Sequence, residues 1–131
     1  MFNMNAAEWI PIVIFIAVIA AYLLLKRAGQ ISTKAAVEHL RNGAVIIDVR
    51  SATEFSIRHL PLAINVPLDE VEELLPRRVR DKNKVLLMHC QSGTRSSAAK
   101  KKADNMGYAN VHNLGSYARA AKIASYHLTV N

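Results

Sequence analysis

One stretch of the chain gathers a nucleophile, a cation and several hydroxyls within nine residues: His89-Cys90-Gln91-Ser92-Gly93-Thr94-Arg95-Ser96-Ser97. Small polar residues around a glycine let successive backbone N–H groups converge on one point, a nest for an anion at a helix N-terminus. A thiolate is such an anion. The helix dipole, the nest and the Arg95 guanidinium all favour the charged sulfur, so Cys90 is expected to have a depressed pKa and to act as a nucleophile. It is the single cysteine of the chain, which excludes an internal disulfide and an all-cysteine zinc site. A lone cysteine is ordinarily a small buried hydrophobe. Here it follows a strand directly, where open α/β sheets place their ligands, and that position favours a reactive thiol. His89 lies within the strand and reads as a packed or hydrogen-bonded residue rather than a general base.

The elements that must position this loop alternate between helix and strand. Lys34 to Arg41 carries an apolar stripe of Ala36 or Val37 and Leu40 and stops at Asn42-Gly43. Ala44 to Val49 is a continuous branched apolar run, as in a strand covered on both faces. Ser51-Ala52-Thr53-Glu54 matches a capping box, so a helix is expected directly afterwards. Ala63 to Val66 reads as a short strand, Leu68 to Leu75 as a short helix, and Val85 to His89 as the second strong strand. A helix over Ser96 to Met106, a strand over Val111 to Leu114 and a helix from Tyr117 to about Tyr126 complete the pattern. Strands joined by helical crossovers imply a parallel sheet with helices on both faces. No internal repeat or low-complexity stretch interrupts it.

Ahead of this domain, Trp9 to Leu25 runs for seventeen residues without a charge. As a helix it spans about 25 Å, and Ala6 and Ala7 extend it toward the ~30 Å of a hydrocarbon core while Lys26 and Arg27 snorkel. Trp9 and Tyr22 suit the two interfaces, and Pro11 suits a first turn. A cleaved signal peptide is disfavoured, because the basic residues follow the apolar run instead of preceding it. The expected organisation is a short tail over 1–8, a transmembrane helix with its basic flank over 9–27, a linker over 28–33 and one domain over 34–131. The positive-inside rule places that domain in the cytoplasm. Outside residues 1–27 there remain 15 basic and nine acidic side chains. Two clusters, Arg77 to Lys84 and Lys100 to Lys102, supply much of the excess. No nucleic-acid motif or aromatic stripe accompanies them, so nucleic acid is not expected, and a solvated face is the plainest reading. The charge would also suit an anionic leaflet.

The loop resembles the active loop of the rhodanese family of sulfurtransferases, in which a cysteine is followed by four residues and an arginine. The resemblance extends to Ile47-Asp48-Val49-Arg50 with Glu54-Phe55, to His59 through Pro67, and to Gly107 through Val111 with Asn113-Leu114-Gly115, over essentially all of residues 31 to 120. It implies a rhodanese-like parallel sheet of about five strands. It also implies sulfur transfer from a small anionic donor such as thiosulfate to cyanide or a thiol through a Cys90 persulfide. The amides of Gln91, Ser92, Gly93, Thr94, Arg95 and Ser96 would hold the outer sulfur, Arg95 would help bind the donor, and no metal or organic cofactor is needed. Asp48, Arg50 and Glu54 look like structural polar residues.

Related folds with five residues between cysteine and arginine take a tetrahedral oxyanion, as phosphatases and arsenate reductases do, and the shorter spacing here disfavours that activity. A noncatalytic membrane docking or sulfur-carrier module is a further alternative, in which the basic surface would meet an acidic protein partner or the membrane. Its motive is a departure from the family pattern. Arg58 and Leu62 stand where glycines are usual, as does Ser116, and Ala120 stands where tryptophan is common. Glycines often mark positive φ, so these changes bear on loop geometry and the pocket rim.

Overall fold

The computed structural model describes residues 5–130; the first four residues of the expected tail lie outside them. Helix α1 runs Ala6–Ala28. Its start is fixed by Glu8, whose carboxylate accepts the Asn5 amide at 3.0 Å, so the helix begins three residues before Trp9. Pro11 is therefore its sixth residue rather than a first-turn residue, and the carbonyl of Ala7 loses its helical donor. At 23 residues α1 is about 34 Å long. It is long and apolar enough to cross a membrane, and none of its residues is buried.

The domain that follows contains α2 (Thr33–Arg41), β1 (Val45–Asp48), α3 (Ala52–Ile57) and β2 (Ile64–Asn65). A single 3-10 turn over Leu68–Glu70 leads into α4 (Val71–Arg78), and then come β3 (Leu86–His89), α5 (Thr94–Asn105), β4 (Val111–Gly115) and α6 (Tyr117–Val130). The strands pair in parallel in the order β2-β1-β3-β4. The described residues thus form four strands rather than about five. The segment that would add a fifth beside β4 makes only one ladder bond, from the Ile31 amide to the Asn113 carbonyl at 3.0 Å. Ser32 then caps α2 by accepting the Ala35 amide, and the chain turns away.

Period-two alternation along the strands sorts the core into two layers. Ile47, Leu86, Met88, Cys90 and Val111 face α4 and α5, packing with Val71, Leu75, Ala99 and Ala103. Ile46, Leu87 and Leu114 face α2 and α6, packing with Ala36, Leu40, Ala120 and Ile123. Cys90 has the parity of Leu86 and Met88, so its side chain stands on the α5 side of the sheet, at the end where that helix begins.

Several boundaries shift from the sequence pattern. Helix α5 starts at Thr94, two residues before Ser96, because Gly93 turns the chain with φ +97°. This places Arg95 in the first helical turn. Helix α4 continues past Leu75 and Pro76 to Arg78, and α6 continues past Tyr126 to Val130. The expected capping box is present, with the Ser51 hydroxyl accepting the Glu54 amide at 3.2 Å and the Glu54 carboxylate accepting the Ser51 amide at 2.9 Å. Of the positions where a glycine is replaced, only Leu62 needs glycine's conformation, with φ +66° and 79% exposure. Arg58 is extended, with φ −160°, which any residue adopts.

Candidate active site

Cys90 is fully buried at the carboxyl end of β3. The Gly93 amide donates to its Sγ at 2.9 Å, and the Ser96 hydroxyl stands 3.6 Å from the same sulfur. Burial pushes the thiol up; the Ser96 hydroxyl and the amides of Ser96, Gly93 and Ser92 pull it down and prevail, leaving the pKa below its ordinary value. The Ser96 hydroxyl has one proton, and Asn113 Oδ1 at 2.7 Å is its nearer acceptor. The Gly93 amide is therefore the firm donor to the sulfur.

Asn113 organises this arrangement. Its Oδ1 accepts the Ser96 hydroxyl and the Gly115 amide at 2.9 Å, and its Nδ2 donates to the Gly93 carbonyl at 3.2 Å. The buried carboxamide thus joins β4 to both ends of the loop. The Cys90 amide donates to the Gly115 carbonyl, and the Tyr117 amide donates to the Gln91 carbonyl. Gly93 and Gly115 both have φ +97°. A Cβ at either would come within 3.0 to 3.2 Å of the Gln30 side chain, which lies between α1 and α2 against the loop.

Of the predicted site residues, Gly93 donates its amide to the sulfur and Ser96 places its hydroxyl 3.6 Å away, whereas the side chains of Gln91, Ser92 and Thr94 are exposed. Arg95 is turned toward Glu54, gripping it with two bonds of 2.7 and 2.9 Å. The Arg95 guanidinium, with help from the Ser51 amide, holds the Glu54 carboxyl down to about 2. Much of the Arg95 charge is thereby balanced. Arg50 makes a buried bidentate pair with Asp48, from Nε to Oδ1 and from Nη2 to Oδ2, and donates to the Arg58 carbonyl at 2.7 Å. His89 is fully buried, and burial pushes its pKa down despite Asp48 nearby. Its Nδ1 faces the Cys90 carbonyl at 3.3 Å rather than the sulfur, which fits a neutral packing role.

Sequence reasoning missed four positioning residues. Asn113 was detectable as a carboxamide inside an apolar strand, and Tyr117 as an aromatic residue at the start of the last helix. Gln30 gave no pattern to read, and Arg58 stood out only as a residue where a glycine is usual. The Arg58 guanidinium lies 4.6 Å from the Tyr117 ring centroid and donates from Nε to its hydroxyl at 3.2 Å, without an acidic partner among the described residues. No group of three or more His, Cys, Asp or Glu among the described residues is arranged to hold a metal.

Known proteins resemble this chain in sequence and in fold. The chain is 41% identical over 69 residues to a thiosulfate sulfurtransferase of Escherichia coli, PspE, and 39% identical over 77 residues to a thiosulfate:glutathione sulfurtransferase of Saccharomyces cerevisiae. These matches cover 53% and 50% of this chain, and it spans 66% and 55% of those two proteins. Among solved structures, a rhodanese with anions from E. coli is 36% identical with a TM-score of 0.57, over 59% of this chain and 91% of the other. Human single-domain sulfurtransferase TSTD1 is 27% identical with a TM-score of 0.62, over 72% and 96%. Residues 32–120 match the rhodanese-like domain, and the chain belongs to that family.

Proposed function

We propose that this chain is a membrane-anchored thiosulfate sulfurtransferase of the rhodanese type, working through a persulfide on Cys90. The observation that carries the reading is the Gly93 amide 2.9 Å from a buried thiol whose pKa is lowered. In the first step the Cys90 thiolate attacks the outer sulfur of thiosulfate. The sulfur–sulfur bond of the donor breaks, its electron pair leaves with sulfite, and the enzyme holds a persulfide anion. That anion has moved one atom outward, toward the amides of Gln91 through Ser96. In the second step cyanide or a thiol attacks the outer sulfur, and the Cys90 thiolate leaves. Two half-reactions on one nucleophile predict ping-pong kinetics. Arg95, five residues after Cys90, supplies the cation beside the loop for the anionic donor, with Glu54 holding part of its charge. The names of the two curated relatives support thiosulfate as donor and a thiol such as glutathione as acceptor.

The anchor is α1, with Lys26 and Arg27 and the catalytic domain on the cytoplasmic side; its length, its apolar character and the basic residues at its end support this. Intact mass of the full chain in detergent tests the chemistry. Thiosulfate is expected to add one sulfur, about 32 Da, and cyanide to remove it with catalytic release of thiocyanate. A Cys90→Ser protein that retains full transfer refutes it. One sulfur accepted without turnover would identify a carrier.

A further inference from the structure

The two basic clusters conspicuous in the sequence are partly matched by acids in the fold: Arg77 pairs with Glu73, Lys100 with Asp104 and Lys102 with Glu72. An unmatched group of cations lies elsewhere. A groove of about 570 Å³ is lined by Arg27 at the end of α1, Thr33 at the start of α2, and Arg119, Lys122 and Tyr126 on α6. None of Arg27, Arg119 and Lys122 has an acidic partner among the described residues. Arg119 is fixed in place by donating to the carbonyls of Leu114, at 2.6 Å, and Ile31. Burial, and then Arg27, push its pKa down, as expected for a cation held beside another cation. The acid of α2, Glu38, lines the adjoining groove on Tyr126 together with Lys34 and Arg41. Across both grooves five cations face one acid.

From this arrangement we infer that the Arg27–Arg119–Lys122 groove binds the headgroup phosphate of an anionic phospholipid and docks the α6 side of the domain on the leaflet. The inference rests on reading α1 as a membrane anchor. Arg27 belongs to the last turn of α1, so the groove sits at the height where α1 leaves the hydrocarbon and where lipid phosphates lie. A second cleft, between Tyr22, Leu25, Lys26 and Gly29 of the α1 end and Gly93, Thr94 and Ser97 of the catalytic loop, places that loop beside the same interface. A headgroup in the first groove therefore keeps the loop of Cys90 beside the membrane surface.

The test uses the full chain in detergent, incubated with equal amounts of phosphatidylglycerol and phosphatidylcholine, with retained lipid counted by native mass spectrometry. Preferential retention of phosphatidylglycerol is expected, falling roughly tenfold in an Arg27→Gln/Lys122→Gln protein and weakening at high salt. Thiosulfate:cyanide transfer by that double variant should be unchanged. Equal retention of the two lipids, or a preference that survives the double substitution, overturns the proposal. Displacement of the lipid by millimolar inorganic phosphate would overturn it in favour of a soluble-anion site. Flotation of carbonate-washed vesicles tests the anchor separately, so a chain that fails to float refutes α1 as a span without deciding lipid preference.

Discussion

Substituting Gly93 by alanine separates backbone conformation from chemistry. Gly93 has φ +97°, a conformation costing a non-glycine residue about 1–2 kcal/mol, and a Cβ there meets Gln30 Nε2 at 3.2 Å. The amide that must shift to relieve this strain is the one donating to Cys90 Sγ at 2.9 Å. A hydrogen bond to a charged group contributes about 1.5–3 kcal/mol, and each pKa unit corresponds to about 1.4 kcal/mol, so its loss should raise the Cys90 pKa by about one to two units. The assay is the pH dependence of iodoacetamide alkylation of the full chain, with urea unfolding as the stability measurement. Gly43→Ala is the control, because Gly43 has φ +93° but lies far from the thiol, against Lys84. It should lose similar stability and leave the alkylation midpoint in place. A folded Gly93→Ala protein whose midpoint moves by less than about 0.3 unit would refute the assignment of that amide as the principal donor.

The Cys90 pKa is lower in the folded protein than in the unfolded chain, so its ionisation stabilises the fold above the unfolded value and that gain disappears as pH falls through the folded pKa. The stability of wild type relative to Cys90→Ala should accordingly grow with pH and level off above about 8.5, measured by urea unfolding. Asn113→Ala strands the Gly115 amide and frees both the Gly93 carbonyl and the Ser96 hydroxyl; a loss of about 3 kcal/mol is expected in urea unfolding, and a change under about 1 kcal/mol would remove Asn113 from the positioning role. Glu54→Gln unbalances Arg95, so the Cys90 pKa should fall, and a rise would contradict the charge accounting around the loop. Leu62→Gly relieves a left-handed leucine at an exposed turn and should leave stability unchanged or raise it by up to about 1 kcal/mol in thermal unfolding.

Where the chemistry is local, the sequence already exposed it. Cys90, its strand and the capping box at Ser51 are signalled within a few residues and occupy the expected places, and the following helix is displaced only at its start, from Ser96 to Thr94. The expected fifth strand does not form among the described residues, because Ser32 caps α2 so soon after Ile31 that one ladder bond is all that fits beside β4. Arg95 shows a different limit. A guanidinium five residues after a cysteine reads as its counter-charge, but Glu54 is 41 residues away and its claim on Arg95 is a tertiary fact. Asn113 likewise acts beyond its own strand, through Gly93 in the loop and Ser96 in α5, and no spacing within β4 announces those two partners. At Leu62, where a glycine is usual, the turn retains glycine's conformation with a leucine in it.

A leading helix and the domain it joins through a short connection are ordinarily exchangeable parts, recombined by cutting anywhere in the connection. Gln30 removes that freedom here. Its side chain fills the space that Gly93 and Gly115 leave open, so the connection is also a wall of the Cys90 loop. A chimera that replaces α1 up to Ala28 keeps this wall, whereas one cut at Thr33 discards it and leaves the space beside two left-handed glycines empty. The connection and the loop are therefore constrained to change together, and the natural unit of exchange begins at Gly29, ahead of the first helix of the domain.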